Sequence, residues 1–131
     1  MNNNVKIFIS VVGILILGVI ASAIVRGNGE NREAKAGELD QFAQCLGEKG
    51  AVFYGAYWCP HCNAQKKMFG SSSKLLPYVE CSTLDGRNQT QECIDKEITG
   101  YPTWEFADGS RLTGEVKLED LASKTSCPLP Q

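Results

Sequence analysis

A short apolar run, Ala51-Val52-Phe53-Tyr54-Gly55-Ala56, leads directly into Tyr57-Trp58-Cys59-Pro60-His61-Cys62, and this junction limits what the chain can fold into. The run is brief, apolar and bounded by glycine, which predicts a buried strand. Pro60 suits the first turn of a helix, where its missing N–H costs nothing and its φ is already helical. A helix starting there can continue through Gln65-Lys66-Lys67-Met68-Phe69 to Gly70 as its C-terminal cap. The order is strand, turn, cysteine pair, helix.

Two thiols two residues apart serve zinc sites as well as redox sites. A structural zinc site needs a second closely spaced Cys/His pair, which this sequence does not supply, so neither a metal nor another cofactor is expected. A disulfide closing so short a loop is strained and exposed, which marks labile bonds rather than static ones. Cys59 sits where the helix begins, so unpaired backbone N–H groups and the helix dipole favour its thiolate. His61, protonated or donating a hydrogen bond, would add to that stabilisation. Stabilising the reduced form raises the reduction potential, with about 30 mV for every 1.4 kcal/mol, and predicts an oxidising disulfide. Cys62, deeper in the first turn, would resolve mixed disulfides.

The other four cysteines bear on the compartment. Six cysteines among 131 residues is a high, even count, the usage of an oxidising environment. Cys45, Cys81, Cys93 and Cys127 admit three pairings. Cys81 with Cys93 is preferred because the two bracket the Asp85-Gly86 turn, and closing such a loop stabilises by roughly 3 kcal/mol. Cys45 with Cys127 would then tie the first helix to the tail; buried free thiols are the other reading. The charges, 13 Lys+Arg against 15 Asp+Glu, are interspersed, so no nucleic-acid partner is expected.

Export requires a signal, and Ile7 to Val25 is an uncharged run of 19 residues, just long enough to span a bilayer as a helix. Ala21-Ser22-Ala23 also fits a cleavage site, which would make the segment a removed signal and the product secreted. Residues 1–26 are therefore read as membrane anchor or signal, 27–37 as a polar linker, and 38–131 as one domain. Arg26, Arg32 and Lys35 after the span weakly favour a cytoplasmic domain. The cysteines favour the opposite side, and the expectation is a single-pass membrane protein with an extracytoplasmic domain.

Within the domain, Leu39, Phe42, Ala43 and Leu46 follow helical spacing up to Gly47 and Gly50. A loop at Ser71-Ser72-Ser73, a strand near Leu76 to Cys81 and a turn over Leu84-Asp85-Gly86-Arg87-Asn88 are predicted. Gln91 to Ile98 reads as a short helix broken by Gly100-Tyr101-Pro102, and Thr103-Trp104-Glu105-Phe106, Asp108-Gly109 and Arg111-Leu112-Thr113 as a hairpin. Leu118 to Lys124 closes as a helix. Trp104 reads as core, whereas Trp58, beside Cys59, reads as a substrate-facing surface. Asn88-Gln89-Thr90 matches a glycosylation acceptor but is more often incidental in a motif this short. Spacing alone makes Pro102 an ordinary turn proline, since only about 5–6% of X-Pro bonds are cis.

Tyr57-Trp58-Cys59-Pro60-His61-Cys62 together with Gly100-Tyr101-Pro102-Thr103-Trp104 resembles the active-site helix and opposing cis-proline loop of the thioredoxin-like family. The resemblance covers about residues 38–127. With Tyr78-Val79-Glu80-Cys81, these segments look most like the thioredoxin-like domain associated with bacterial vitamin K epoxide reductase homologues. The Cys-Pro-His-Cys sequence is also that of DsbA-type thiol oxidases. The resemblance implies an α/β fold with a central mixed sheet of about four strands flanked by helices. It implies Cys59 as the attacking or attacked sulfur, Cys62 as the resolving one, and a cis Pro102 whose preceding residue, Tyr101, pairs through its backbone with incoming peptide; Pro60 and His61 complete the candidate catalytic set. Many relatives carry a buried acid six residues before the first active cysteine, and this chain has Phe53 there. His61, Glu80, Glu105 or water are the remaining candidates for the proton of Cys62.

The resulting expectation is a membrane-tethered thiol-disulfide oxidoreductase that donates the Cys59–Cys62 disulfide to exported cysteine-containing proteins and is reoxidised by a membrane partner resembling vitamin K epoxide reductase. A reductase of the thioredoxin type uses the same residues. A binding module with an idle disulfide is the non-enzymatic alternative.

Overall fold

Strand β1 (Val52–Gly55) lies inside a four-stranded sheet, with β2 (Tyr78–Glu80) on one side and β3 (Thr103–Glu105) on the other, and β4 (Arg111–Thr113) beyond β3. The computed structural model describes residue 2 and residues 36–130. The expectations for Ile7 to Val25, for cleavage at Ala21-Ser22-Ala23 and for nearly all of the 27–37 linker lie outside the described residues. The chain divides into two units, Met1–Arg32 and Glu33–Gln131, and the sheet belongs to the second. No helix among the described residues is long and apolar enough to cross a membrane.

β1 pairs in parallel with β2, Phe53 opposite Tyr78, and antiparallel with β3, Phe53 opposite Trp104. β3 and β4 form an antiparallel hairpin. A parallel pair needs a crossover, supplied here by helix α2 (Pro60–Met68) and a 3-10 helix (Gly70–Leu75). Helices α1 (Asp40–Glu48), α3 (Gln91–Asp95) and α4 (Leu118–Thr125) complete the described unit. This mixed four-stranded sheet with flanking helices is consistent with the thioredoxin-like α/β fold.

The strand pleat divides the core. Phe53 turns to the face covered by Phe42 and Leu46 of α1, Phe69 and Leu121 of α4; Tyr54 turns to the other, against Cys81, Cys93 and Ile98. Phe53 stacks on Trp104 at 4.8 Å between centroids and meets Tyr78 edge-on at 5.3 Å. Burial of each such ring stabilises by about 1.5–3 kcal/mol. Position 53 is therefore an aromatic centre of the core. One disulfide joins Cys45 of α1 to Cys127 just beyond α4, and another joins Cys81 to Cys93 of α3.

Three local expectations are corrected. Gly70 does not cap a single helix: α2 ends at Met68, and Gly70, at φ +53°, opens the 3-10 helix that replaces the expected serine loop. That segment is ordered by its serines, because buried Ser72 donates to Asp40 Oδ1 at 2.6 Å and Ser71 Oγ accepts from the Gly37 amide at 3.0 Å. α3 stops at Asp95 rather than Ile98, since Glu97 enters the left-handed region at φ 53° while Ile98 N–H returns to Cys93 O at 2.9 Å. This is a Schellman closure with glutamate where glycine is usual. β2 begins at Tyr78 rather than near Leu76, because Pro77 has no amide to donate; its carbonyl accepts from Phe53 N at 2.8 Å.

Candidate functional site

Cys59 is the N-cap of α2, with extended backbone (φ −75°, ψ 119°), and Pro60 follows at the start of the helix. Its Sγ accepts a hydrogen bond from the Cys62 amide at 3.3 Å, which places the sulfur on the N–H groups that a helix start leaves unpaired. Negative charge is favoured there. The same sulfur donates weakly to Tyr101 O at 3.8 Å. The Tyr101–Pro102 bond is cis, and the Cys59–Tyr101 contact joins the proline loop to the cysteine helix.

The two thiols differ in access. Cys59 keeps 4% of its surface exposed and Cys62 none, so an incoming group reaches Cys59 first. Cys62 is closed in from the sheet: a Cβ on Gly55 would stand 3.0 Å from Cys62 Sγ and 2.9 Å from the Tyr78 ring. Burial, with the Cys59 hydrogen bond adding to it, pushes the Cys62 thiol from 9.0 up to about 12. Folded Cys62 therefore holds a proton that the unfolded chain releases above pH about 9. Stability from this source is complete below that pH and is lost as pH rises towards about 12. Urea unfolding of reduced protein from pH 7 to about 10 is expected to weaken progressively relative to oxidised protein, which has no Cys62 thiol to titrate. Equal pH profiles for the two forms would contradict this.

Trp58 is 51% exposed and meets Tyr101 edge-on at 6.1 Å, while its indole N–H donates to Ser82 Oγ at 2.8 Å. Tyr57 is similarly exposed, and its hydroxyl donates to Leu84 O at 3.3 Å. The 82–89 turn thus lies against the residues preceding Cys59. At Gly86, φ is +70°, a backbone conformation that calls for glycine, and the Tyr57 hydroxyl lies close against it. Trp104 is fully buried.

His61 makes a contact that the sequence did not announce. Its Nδ1 lies 2.7 Å from Glu115 Oε1, while the hydrogen bonds of Cys59 Sγ go to the Cys62 amide and Tyr101 O. The imidazole reaches the segment after β4, and among the described residues no hydrogen bond joins it to the Cys59 sulfur. Glu115 lies 54 residues away in sequence, and no local pattern points to it. Gln65 was likewise invisible as a site residue: it is completely buried, and its side-chain amide accepts from Val116 N at 2.7 Å and donates to Val116 O at 3.0 Å.

The two acids considered for the Cys62 proton have other duties. Glu80 accepts from Tyr57 N, Ser82 N and the Tyr78 hydroxyl, at 3.2, 2.9 and 2.7 Å, and so braces the turn before Cys59. Burial raises the Glu105 carboxyl pKa, but hydrogen bonds from Arg111 and Lys96 outweigh it and hold the group below its usual value. The Tyr78 ring carries Lys66 Nζ 3.4 Å from its centroid, a cation–π contact beside Cys62.

The geometry can carry out thiol–disulfide exchange, with one sulfur at a helix start and its partner enclosed behind it. No family model matches the chain. Over 93 residues it is 43% identical to the Arabidopsis thaliana protein named thiol-disulfide oxidoreductase LTO1. The match takes in 68% of this chain and 24% of that protein, so the chain spans about a quarter of the length of this curated relative.

Proposed function

We propose that the chain is a thiol-disulfide oxidoreductase that passes its Cys59–Cys62 disulfide to exported proteins. The observation that carries this reading is the position of Cys59 Sγ: at the N-cap of α2, on the Cys62 amide, against the cis-proline loop, with Cys62 enclosed behind it. The name and 43% identity of the plant relative support the same chemistry. In the forward reaction a substrate thiolate attacks Cys59 Sγ, the Cys59–Cys62 bond breaks, and Cys62 leaves and takes a proton, which its burial favours. A second substrate thiolate then attacks the substrate sulfur of the mixed disulfide and releases Cys59. Two electrons have moved from the substrate dithiol to the pair, and one proton has gone to Cys62. Trp58, Tyr101 and Pro102 would line the docking surface.

The setting is part of the proposal: Ile7 to Val25 as a membrane anchor, the domain on the extracytoplasmic side, and reoxidation by a membrane protein resembling vitamin K epoxide reductase, whose disulfide would take the two electrons by the reverse exchange. The apolar run and the disulfides Cys45–Cys127 and Cys81–Cys93 support an oxidising compartment. One observation favours the reductive direction instead: His61 is paired with Glu115 and not with the Cys59 sulfur, which removes a stabiliser of the reduced state. Equilibration against glutathione buffers separates the two. A potential near that of strong oxidants, about −120 mV, supports disulfide donation, and one near about −270 mV supports a reductase. A pair that does not exchange with glutathione would refute both.

A further inference from the structure

We propose that Glu115 is a positioning residue of the redox site: by holding His61 away from Cys59 Sγ it restrains the oxidising strength of the disulfide. The inference rests on reading Cys59–Cys62 as a redox couple and adds a determinant of its potential from outside the Cys-Pro-His-Cys segment.

The contact between His61 Nδ1 and Glu115 Oε1, at 2.7 Å, has the length of a charge-assisted hydrogen bond. The His61 side chain is 70% exposed and would otherwise be free to rotate. Glu115 is presented to it by a fixed segment. Gly114 N donates to Pro102 O at 2.9 Å, and Val116 is clasped through both its N–H and its C=O by the buried Gln65 amide. Gln65 and His61 stand four residues apart on α2 and so share one helix face. Three successive residues therefore engage three parts of the site: Gly114 the cis-proline, Glu115 the histidine, and Val116 the cysteine helix. The buried clasp sets the register, and the exposed carboxylate takes the imidazole.

The contact acts through position. An imidazole nitrogen bound to Glu115 is not available to the Cys59 thiolate, which leaves reduced Cys59 less stabilised than it would be beside a free histidine. Glu115→Gln weakens the hold on the imidazole while keeping the size, so the reduced form gains and the disulfide becomes more oxidising.

The test is a double-mutant cycle on the full chain, with wild type, Glu115→Gln, His61→Ala and the double variant equilibrated against glutathione, and iodoacetamide reactivity of Cys59 measured at fixed pH. Glu115→Gln is expected to shift the equilibrium about threefold towards the dithiol, the scale of an exposed charge interaction, and to raise the alkylation rate in parallel. In the His61→Ala background the same substitution should shift neither quantity. An unchanged equilibrium in Glu115→Gln, or an equal shift with and without His61, overturns the inference. A wild-type pair that never exchanges with glutathione instead overturns the redox reading beneath it.

Discussion

Cys59→Ser is expected to bring disulfide exchange down to the uncatalysed background, whereas Cys62→Ser, unable to form the donor disulfide, is expected to keep the attack of Cys59 on an incoming disulfide and lose the step that resolves the adduct. The difference comes from access. Cys59 is the sulfur with a remaining opening and a hydrogen bond from the helix start, while Cys62 has no exposed surface. Removing a reacting nucleophile typically costs on the order of 10⁴-fold or more, and no second sulfur among the described residues is placed to substitute for Cys59. In Cys62→Ser the oxidised pair cannot form, so a disulfide between Cys59 and a substrate or glutathione persists for want of a resolving thiol. Non-reducing electrophoresis and mass measurement should show this adduct in Cys62→Ser and not in Cys59→Ser. Exchange activity retained by Cys59→Ser would rule out the catalytic role of Cys59.

The second large effect concerns stability. Replacing both Cys45 and Cys127 by alanine frees a loop whose ends lie 82 residues apart, for which the chain-entropy relation gives a loss of about 4.5 kcal/mol. Domains of this size have only about 5–15 kcal/mol in total. The midpoint of thermal unfolding should fall by roughly 20 °C. Removing Cys81–Cys93, whose ends are 12 residues apart, should cost less, about 3 kcal/mol. Thermal unfolding of the two double variants checks both size and order; a larger loss from the shorter loop would show that local packing, and not chain constraint, dominates.

What could be read from the sequence was what is decided within a few residues. Pro60 behind Cys59 announces a helix start, and the apolar run before it announces a strand, because capping and pleat act locally. The spacing of Leu39, Phe42, Ala43 and Leu46 marked the buried face of α1 for the same reason. Misreadings arose where a local signal had a distant answer. The serines at 71–73 read as loop because their partners, Gly37 and Asp40, lie more than thirty positions earlier. Glu97 gives no hint that it will close a helix in the left-handed region. His61 was legible as a residue beside the reactive sulfur but not as a partner of Glu115, since that pairing exists only after β4 has been laid against β3 and the chain has turned back to α2. Gln65 looks like any polar residue on a helix until Val116 arrives to meet its amide.

Gly55 has a meaning beyond close packing. The enclosure of the inner thiol depends on the strand beneath the cysteine pair as well as on its place within the helix. With hydrogen in place of a methyl group at position 55, the Cys62 sulfur and the Tyr78 ring can converge on the same point, and Cys62 keeps no exposed surface. The strand's bare backbone thus acts as the stopper of a one-ended site. An alanine there would force the Tyr78 ring or the Cys62 sulfur to give way.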